Sequence, residues 1–467
     1  MLYTTQELAS IVDGKLLQNP DSVQIYTIAI DSRYCTQGSL FVPIPGDNSD
    51  GTEYIPSAVK NGAVCCVVQN NIELLPGIAY IIVKDVVAAL QKIAQNYKLN
   101  FKTPVVGVTG SVGKTTAKDI ISGALASKYN VHKTQGNFNS QTGVPMTIFS
   151  LEENHEISVI EFGMDRMGEI DKTSKIASPD VACVMNIGIC HIEYLKTQEN
   201  IMRAKFEILN HMAPQSLVIL NGDDKLLSSV YTNRELIDCK NKLLDKRVVY
   251  IGTGENSNCR AYDVKVDYDK GVVCARFEYN NSSIDVKIPG VSYHLIYPAL
   301  AAFVISKEFG LNNEEFISGL QNYAHTPMRM EIFNIGQNTT VVDDTYNANP
   351  DSMKSLIDSI SNWEKGNRVC ILGGMRELGD KEKVSHEEIG KYVAQSKLTM
   401  CLFIGPLMRN AYEISKESSK LKALYFDTKE EAYDFLGSVN LSDTVFGIKA
   451  SRYYKFEDIT AFLKANC

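Results

Sequence analysis

The chain has 467 residues, of which 44% are hydrophobic and 22% are charged, the composition of an ordinary globular protein. This length exceeds what a single core fills, so about three domains are expected. The formal net charge of −8 argues against binding to nucleic acid or to an anionic membrane, and it favours small-molecule partners.

The N-terminus resembles the start of a soluble domain. Thr4 and Glu7 have the spacing of a capping box, and no basic segment followed by an apolar core is present. Because no apolar run approaches membrane-spanning length, we expect no membrane insertion and a cytoplasmic location. The 11 cysteines are scattered without a CxxC pair, which predicts reduced thiols and argues against a disulfide framework or a zinc site.

Residues 1–102 alternate short strands with helices and form the first predicted domain. Ser32 and Arg33 follow a strand that contains Ile28 and Ile30. A hydroxyl beside a guanidinium at a strand end can bind an anion or a nucleotide diphosphate, with an exposed salt bridge as the alternative. The glycines and prolines from Gly38 to Gly51 predict exposed loops.

The segment GVTGSVGKTT, residues 107–116, resembles a phosphate-binding loop. It follows the apolar strand Pro104–Val108 and precedes residues of helical periodicity, so backbone N–H groups and the positive helix end should surround one anion. Lys114 would reach the terminal phosphates of a nucleotide, and Thr115 would bind Mg²⁺. The usual spacing of such loops places a glycine six residues before the lysine. That position is Val108 in this chain, and the glycine lies one residue earlier, at Gly107. The nucleotide contacts expected in this loop are Gly110, Ser111, Gly113, Lys114, Thr115 and Thr116.

Residues 103–325 form the second predicted domain, a mostly parallel sheet with helices on both faces. Polar side chains follow its strands: Glu161 after an apolar strand, His191 after Val181–Met185, and Asn221 after Leu217–Leu220. The carboxyl edge of such a sheet binds ligands. His191 is therefore a candidate Mg²⁺ ligand, with a structural histidine as the alternative. Asn221 fits either a turn or a contact to a base.

Two further segments of this domain leave their roles open. Lys205 lies in an amphipathic helix, where an exposed lysine is the default interpretation. The segment from Lys133 to Pro145 is rich in glycine and side-chain amides, which suits either polar ligand contacts or tight turns. Its candidate residues are Asn137, Asn139 and Thr142.

Residues 326–467 form a third predicted domain, again doubly wound. The strand Thr340–Val342 delivers Asp343 and Asp344 at its end, before a helix that starts after Pro350. Adjacent carboxylates repel each other unless they bind a cation or sugar hydroxyls. This cost favours a ligand-binding role for the pair over simple solvation. A later strand brings three polar residues to its end, namely Lys449, Ser451 and Arg452.

Seven motifs in order, TGSVGKTT, EFG, NIGICH, RAKFEIL, DDTYNANPDSM, GGMRELG and KASR, resemble the Mur ligase family over nearly the whole chain. The resemblance implies an α/β fold with a small N-terminal UDP-MurNAc-binding domain, a central P-loop ATPase domain and a C-terminal Rossmann-like domain. The segment DDTYNANP is the most specific. It implies the member that joins D-alanyl-D-alanine to UDP-N-acetylmuramoyl-tripeptide through an acyl phosphate, for peptidoglycan synthesis. The early glycine, Gly107, is the family's form of the loop.

The same resemblance implies an ATP and Mg²⁺ site. Lys114 would hold the ATP phosphates, Thr115 and Glu161 one Mg²⁺, and His191 a second. Lys205 would react with CO₂ to give a carbamate that helps position Mg²⁺. Two residues of the third domain, Arg329 and Asp344, would reach ATP when the domains close.

The remaining roles concern the substrates. Tyr346, Asn347 and Asn349 would lie near the reacting phosphate and the amine, and Asn347 would be one of the catalytic residues. The muramoyl peptide would be contacted by Asn137, Asn139 and Thr142. The uridine nucleotide would be contacted by Ser32 and Arg33. Lys449, Ser451 and Arg452 correspond to the family's KGSR, with Ala450 in place of glycine. A monomer is expected.

One segment departs from the family pattern. The residues from His294 to Pro298 read HLIYP, without the two asparagines of the usual His-Asn-x-x-Asn pattern. Adenine recognition then falls to Asn221 or to backbone groups. Two alternative functions stay open: a related ligase with another acceptor, such as a folylpolyglutamate-type enzyme, and an ATP-binding regulatory protein.

Overall fold

The computed structural model describes residues 3–18, 22–46, 50–69, 73–335, 338–364 and 366–466. These residues form three α/β units, each built on its own main sheet. The predicted fold class is confirmed, and the three main sheets fall within the three predicted ranges. The boundaries themselves stay predictions.

The first unit has a five-stranded sheet in the order β2-β7-β6-β5-β4, in which only β2 and β7 pair antiparallel. The Thr4–Glu7 capping box is confirmed at the start of α1. The expectation of exposed loops from Gly38 to Gly51 is wrong for Ser39–Phe41, a buried strand, while residues 47–49 lie outside the described part of the chain. The elements are β1 (Tyr3–Thr4), α1 (Thr5–Ile11), β2 (Lys15–Leu17), β3 (Gln24–Ile25), β4 (Thr27–Ala29), β5 (Ser39–Phe41), α2 (Ile55–Lys60), β6 (Ala63–Val68), β7 (Ala79–Ile82) and α3 (Val86–Lys98).

The second unit has a nine-stranded sheet in the order β16-β15-β14-β13-β12-β11-β8-β10-β9. Its elements are β8 (Val105–Thr109), α4 (Lys114–Ala126), β9 (Val131–Lys133), α5 (Gly143–Phe149), β10 (Ile157–Glu161), α6 (Glu169–Ala177), β11 (Val181–Val184), α7 (Ile192–Leu195), α8 (Gln198–Lys205), β12 (Leu217–Asn221), α9 (Lys225–Ser228), α10 (Ile237–Leu243), β13 (Arg247–Gly252), β14 (Cys259–Asp267), β15 (Val272–Tyr279), β16 (Ser282–Pro289), α11 (Ile296–Glu308) and α12 (Asn313–Gln321).

This second sheet is parallel from β9 to β14, as expected, and helices cover both of its faces. The helices α4 and α11 pack on one face, and α6 and α8 pack on the other. The antiparallel extension by β15 and β16 was not anticipated. Their alternating burial is typical of strands with one face packed and one face in solvent.

The third unit has a six-stranded sheet in the order β17-β18-β22-β19-β20-β21, parallel except for the edge pair β17–β18. Apolar cores lie on both faces, so the predicted Rossmann-like arrangement is confirmed. The elements are β17 (Glu331–Ile335), β18 (Thr339–Asp343), α13 (Pro350–Ser361), β19 (Asn367–Gly373), α14 (Glu382–Gln395), β20 (Met400–Ile404), α15 (Arg409–Ser415), β21 (Lys422–Phe426), α16 (Lys429–Ser438), β22 (Thr444–Lys449) and α17 (Glu457–Asn466).

Two expectations about the whole chain can be compared with the described residues. The ten cysteines among them are all unpaired, as predicted, and Cys467 lies outside them. None of the described helices combines the length and apolarity needed to cross a bilayer.

Candidate active site

The site is organised by three neighbouring strands of the second sheet. In the order β11-β8-β10, the parallel strands end at the same edge, so the segments that follow them meet there. The phosphate loop follows β8, Glu161 closes β10, and the segment from Asn186 to His191 follows β11. The sequence predicted this edge correctly.

The phosphate loop is held in place by a residue that the sequence analysis did not select. The side-chain oxygen of Asn186 accepts a hydrogen bond from Val112 N at 2.9 Å, and its Nδ2 donates to Val112 O at 2.9 Å. Gly113 has φ +77, and a Cβ there would meet nothing within 4 Å, so the mouth of the loop is open. Lys114 Nζ donates to Gly110 O at 2.9 Å. The loop thus has the open backbone cradle that a phosphate needs.

Glu161 is almost fully buried at the end of β10. Its Oε1 accepts a hydrogen bond from Asn139 Nδ2 at 2.6 Å, whereas no described residue hydrogen-bonds to its buried Oε2. An unpartnered carboxylate oxygen is costly in a protein interior, and a cation removes that cost. The donor set beside the loop, a buried carboxylate and the Thr115 hydroxyl, therefore fits Mg²⁺.

The protein supplies only part of such a metal site. No group of three or more His, Cys, Asp or Glu side chains suited to a metal ion occurs in the described ranges. Mg²⁺ typically takes one or two carboxylates and completes its octahedron with water and substrate phosphates. A nucleotide-dependent metal site therefore fits these residues better than a closed protein cage.

Lys205 is the last residue of α8 and is 2% exposed, so the default interpretation of an exposed lysine is wrong. Ile201, Met202 and Ala204 of the same helix are buried in one core cluster with residues of the sheet. Burial, followed by the positive charge of Lys114, lowers the Lys205 pKa to about 7, although Cys190 opposes the shift. A large fraction of neutral amine is therefore present near neutral pH, and a neutral amine is the nucleophilic form.

His191 lies in a left-handed backbone conformation, with φ +59, at the start of α7. Its Nδ1 lies 3.1 Å from Asp165 Oδ1 and 3.2 Å from Glu377 Oε2, and neither contact has hydrogen-bond geometry. The contact with His191 is the main reason why the Glu377 pKa is lowered, against the opposing effect of burial. Glu377 comes from the third domain, so this contact joins two domains.

Cys190 and Asn349 form a second contact between these domains. Cys190 Sγ donates to Ser111 O at 3.3 Å, and Asn349 Nδ2 approaches the same sulfur at 2.8 Å. Asn349 also caps α13, because its Oδ1 accepts from Ser352 N at 2.9 Å. Nearby, a Cβ on Gly188 would lie 2.3 Å from Asp351 Oδ2, so the Asp351 carboxylate would have to move to admit one. The third domain therefore lies directly against the phosphate-loop edge.

A cavity of about 100 Å³ remains between the phosphate loop and the third domain. The second domain contributes seven lining residues, namely Ser111, Val112, Gly113, Lys114, Thr115, Cys190 and His191. The third domain contributes eight, namely Arg329, Asn347, Ala348, Asn349, Ser352, Arg376, Glu377 and Leu378. Besides Gly113, seven predicted site residues thus line one cavity, namely Ser111, Lys114, Thr115, His191, Arg329, Asn347 and Asn349. Arg376 and Glu377 belong to the segment GGMRELG and were not among the predicted site residues.

Asp344 and Lys449 were both predicted, and they bind each other. The Asp344 carboxylate accepts a short hydrogen bond from Lys449 Nζ and another from Met330 N at 3.3 Å. Burial is the main cause that lowers the Lys449 pKa, and Asp344 opposes it. Of the two adjacent carboxylates, Asp344 is therefore paired with the Lys449 ammonium group. Asp343 accepts a hydrogen bond from Thr345 N at 3.0 Å. Neither aspartate is among the described residues that line the cavity.

The other predicted residues of the third domain support the cavity wall. The guanidinium of Arg329 lies 4.0 Å from the centre of the Tyr346 ring. Ser451 Oγ accepts from Arg376 N at 3.0 Å, and Arg452 N donates to Asn347 Oδ1 at 3.4 Å. The strand end at β22 thereby positions the loops that face the nucleotide site.

The adenine contact proposed for Asn221 has a structural alternative that the geometry favours. Asn221 Nδ2 donates to Met185 O at 3.1 Å, and its Oδ1 accepts from Asp223 N at 3.0 Å, which makes it a turn residue. In the segment HLIYP, which lacks the two asparagines of the family pattern, the His294 and Tyr297 rings stack. Their planes make an angle of 24°, and their centroids lie 6.2 Å apart. The Tyr297 hydroxyl donates to Asp223 Oδ2 at 3.2 Å.

The remaining substrate candidates lie outside the set of described residues that line the cavity. Arg33 forms an exposed ion pair with Asp31, the alternative that the sequence left open, and Ser32 is buried in the same turn. Thr142 precedes α5, and of the amide-rich loop only Asn139 contacts a candidate catalytic side chain, Glu161.

Three family models match the chain: "Mur ligase family, catalytic domain" over residues 24–102, "Mur ligase middle domain" over 108–306 and "Mur ligase, glutamate ligase domain" over 328–451. The UDP-N-acetylmuramoyl-tripeptide--D-alanyl-D-alanine ligase of Bacillus subtilis is 33% identical over 98% of this chain and 97% of its own length. The ligase of the same name from Escherichia coli is 28% identical over 86% of each chain.

Two solved structures are also similar over their full length. MurF from Acinetobacter baumannii has a TM-score of 0.88 and 27% identity, covering 99% of each chain. The MurF ligase of Thermotoga maritima in complex with ADP has a TM-score of 0.81 and 28% identity, covering 95% of this chain and 98% of its own.

Proposed function

This chain belongs to the Mur ligase family, and from that premise we propose that it is an ATP-dependent ligase that joins D-alanyl-D-alanine to UDP-N-acetylmuramoyl-tripeptide. The product is UDP-MurNAc-pentapeptide for peptidoglycan synthesis. The observation that carries the proposal is the single cavity shared by the phosphate loop and by Asn347 and Asn349 of the segment DDTYNANP. The nucleotide and the acceptor chemistry therefore meet at one place.

In the first step, a terminal carboxylate oxygen of the tripeptide attacks the γ-phosphorus of ATP, and the bond to the β-phosphate oxygen breaks to release ADP. Both reactants are anions and repel each other. Lys114 and the loop N–H groups hold the phosphates in line with the carboxylate. Arg329 approaches the same cavity from the third domain, so its charge adds to the stabilisation once the domains are together.

When bound, Mg²⁺ neutralises phosphate charge and orients the transferred phosphoryl group. The residues that would hold it, as two ions, are Thr115, Glu161, His191 and Lys205 in its carbamate form. The carbamate follows from the addition of the neutral Lys205 amine to CO₂ with loss of one proton. It replaces a buried cation by an anionic oxygen ligand, which removes the repulsion from Lys114.

In the second step, the free amine of D-alanyl-D-alanine attacks the acyl carbonyl carbon. The tetrahedral intermediate collapses by breaking the carbon–oxygen bond to phosphate, which leaves with the electron pair, and the nitrogen loses its extra proton. We assign the contacts with the incoming amine to Asn347, Asn349 and Tyr346, of which Asn347 and Asn349 line the cavity. Water hydrolyses an acyl phosphate, so the contact of the third domain with the loop edge protects the intermediate.

The other substrate contacts follow from the same assignment. Ser32 and Arg33 bind the uridine nucleotide, and Arg33 exchanges its Asp31 partner for phosphate. Asn137, Asn139 and Thr142 face the muramoyl peptide, and Asn139 links that loop to Glu161. Asp344 binds ATP ribose, and Lys449, Ser451 and Arg452 maintain the strand end. The enzyme acts as a cytoplasmic monomer.

The test measures phosphate release from ATP with UDP-MurNAc-tripeptide, with and without D-alanyl-D-alanine, and identifies the product by mass spectrometry. We expect release that requires both substrates and a mass increase equal to the added dipeptide. Lys114→Ala serves as the inactive control. Release that ignores both substrates would indicate a nucleotide-driven regulatory protein, and coupling to a different amine alone would indicate a ligase with another acceptor.

A further inference from the structure

The charges around the cavity are unequal in a way that phosphate binding does not explain. Lys114, Arg329 and Arg376 are cationic, and His191 adds a ring nitrogen. Among the described residues that line the cavity, Glu377 is the one carboxylate. A carboxylate beside a triphosphate raises the energy of the bound anion, so its presence at the wall favours a cation nearby, either Mg²⁺ at His191 or a cationic group of a ligand.

Glu377 is held in an unusual backbone conformation. It follows β19 in the turn GGMRELG with φ +63, which a non-glycine residue rarely adopts. The next residue, Leu378, is buried at 2% exposure and fixes the turn, and Gly379 lies against Glu193 of α7. The strained conformation is therefore held by packing on both sides, a pattern that occurs at ligand-binding sites.

The Glu377 carboxylate is only partly occupied by its protein contact. Oε2 lies 3.2 Å from His191 Nδ1, and 54% of the side chain remains exposed. A carboxylate has two oxygens that can each accept hydrogen bonds, so one side of the group stays open to a donor in the cavity. That donor would lie between His191 and the phosphate loop, where the acyl phosphate forms.

Arg376 presents the opposite charge from the neighbouring position. Its guanidinium stacks over the Tyr453 ring, 4.2 Å from the ring centre, and its backbone N–H donates to Ser451 Oγ at 3.0 Å. Planar stacking fixes the fork of an arginine, and the donors of the fork that no protein group uses can bind a carboxylate. Two adjacent residues thus place opposite charges at the same cavity wall. The cationic Arg376 lies at Tyr453, and the anionic Glu377 lies at His191.

We propose that Arg376 and Glu377 form the subsite for the zwitterionic acceptor dipeptide, with Glu377 binding its ammonium group and Arg376 binding its terminal carboxylate. This inference rests on the proposed function. An extended dipeptide spans about 7 Å, which two long side chains diverging from adjacent Cα atoms can bracket. The ammonium end then points to the loop, and the amine that attacks the acyl phosphate is the one beside Glu377.

The arrangement also explains why the third domain must contact the loop. Arg376 and Glu377 are carried by the third domain, whereas His191 and Lys114 belong to the second. The acceptor subsite therefore faces the acyl phosphate only when the His191–Glu377 and Cys190–Asn349 contacts are present. The dipeptide is bound beside a reaction centre that the same contacts shield from water.

The experiment separates acyl-phosphate formation from acceptor binding by using two nucleophiles. Hydroxylamine, a small neutral amine, traps the acyl phosphate as a hydroxamate and needs no zwitterion subsite. For Glu377→Gln we expect the KM for D-alanyl-D-alanine to rise about 10- to 100-fold, as for a lost charge-assisted contact. Because glutamine can still contact His191, hydroxamate formation from ATP and UDP-MurNAc-tripeptide should fall far less than kcat/KM for the dipeptide.

The second arm tests the carboxylate end with the C-terminally amidated dipeptide. The wild-type enzyme should prefer the free carboxylate over the amide by about 10- to 100-fold in kcat/KM. Arg376→Gln should accept both dipeptides with equal, low efficiency while keeping wild-type hydroxamate formation. Asp380→Asn and Lys381→Gln make the same changes of charge in the adjoining turn, outside the cavity lining, and should leave every rate unchanged.

Three results would overturn the assignment. An unchanged KM for the dipeptide in Glu377→Gln would show that the carboxylate does not bind the ammonium group. A parallel loss of hydroxamate formation would assign Glu377 to the ATP side of the site. Retained preference for the free carboxylate in Arg376→Gln would place that contact elsewhere. Failure of the wild-type protein to form any hydroxamate would instead contradict the proposed function itself.

Discussion

Lys205 is buried, and its burial followed by the positive charge of Lys114 lowers its pKa to about 7. Burial raises the energy of the charged form of Lys205, and the charge of Lys114 adds to that cost. Conversion of Lys205 to a carbamate relieves both effects. The relationship between these two residues therefore supports a chemical modification that the sequence motif alone could only suggest.

The first prediction concerns Lys205→Ala. We expect turnover to fall roughly 100-fold or more, because the variant lacks an oxygen ligand for the metal. Added short-chain carboxylates should restore part of the activity by occupying the vacated space. Wild-type enzyme equilibrated with ¹³C-bicarbonate should show a carbamate carbon resonance that Lys205→Ala lacks. Lys175→Ala, an exposed change on α6, is the control, and a fully active Lys205→Ala enzyme would refute the modification.

The second prediction concerns the unpartnered oxygen of Glu161. In Glu161→Gln, the side-chain oxygen can still accept the hydrogen bond from Asn139 Nδ2, while the buried negative charge is removed. We expect an unchanged or higher melting temperature together with a higher Mg²⁺ concentration for half-maximal activity. A Mg²⁺ titration and a thermal melt measure the two effects. Glu278→Gln on the solvent side of β15 should change neither, and an unaltered Mg²⁺ requirement in Glu161→Gln would remove this residue from the metal site.

The third prediction concerns stability at the junction of the second and third domains. Asp119 of α4 lies 3.2 Å from Lys118 Nζ and 3.1 Å from Lys133 Nζ, and it accepts a short hydrogen bond from Thr326. Lys118 and Asp119 are buried, so Asp119→Asn leaves a buried ammonium without a counter-charge.

For Asp119→Asn we expect a loss of about 3 to 5 kcal/mol in the free energy of unfolding. Urea denaturation followed by circular dichroism measures it. Asp285→Asn breaks an exposed ion pair with Arg276 and should leave the urea midpoint in place. Equal midpoints for the two variants would show that the buried cluster does not stabilise the domain junction.

The fourth prediction concerns the pH dependence of stability at His132. Burial, followed by the charge of His155, lowers the His132 pKa from 6.5 to about 4, while a hydrogen bond to the Thr147 backbone opposes the shift. Its ring nitrogens lie 2.8 Å from Ser158 Oγ and 2.9 Å from Ser150 Oγ. The folded state therefore favours the neutral ring, and its contribution is complete above pH 6.5 and is lost as the pH falls towards 4.

Between pH 7 and pH 5, this one group should remove about 2 kcal/mol from the free energy of unfolding. In His132→Asn that part of the pH dependence should be absent, although the variant is less stable at pH 7. Urea midpoints at several pH values give the two slopes. Identical slopes for the variant and the wild type would contradict the assignment.

The sequence by itself determined the parts of the site that depend on local order along the chain. A strand, a glycine turn and a helix fix the phosphate loop within about ten residues, because helix geometry gathers its own N–H groups. The alternation of strands and helices predicted three α/β units, and parallel strands of one sheet necessarily end at one edge. Glu161 and His191 could therefore be placed beside Lys114 in advance.

Only the tertiary structure decided which charges share an environment. The burial of Lys205, the pairing of Asp344 with Lys449 and the position of Glu377 at the cavity depend on contacts between residues far apart in sequence. An amphipathic helix predicts which face is buried, but not that a buried lysine at its end has its pKa lowered by the charge of a second lysine. Charge interactions depend on distance and solvent exposure, and both are properties of the packed domains.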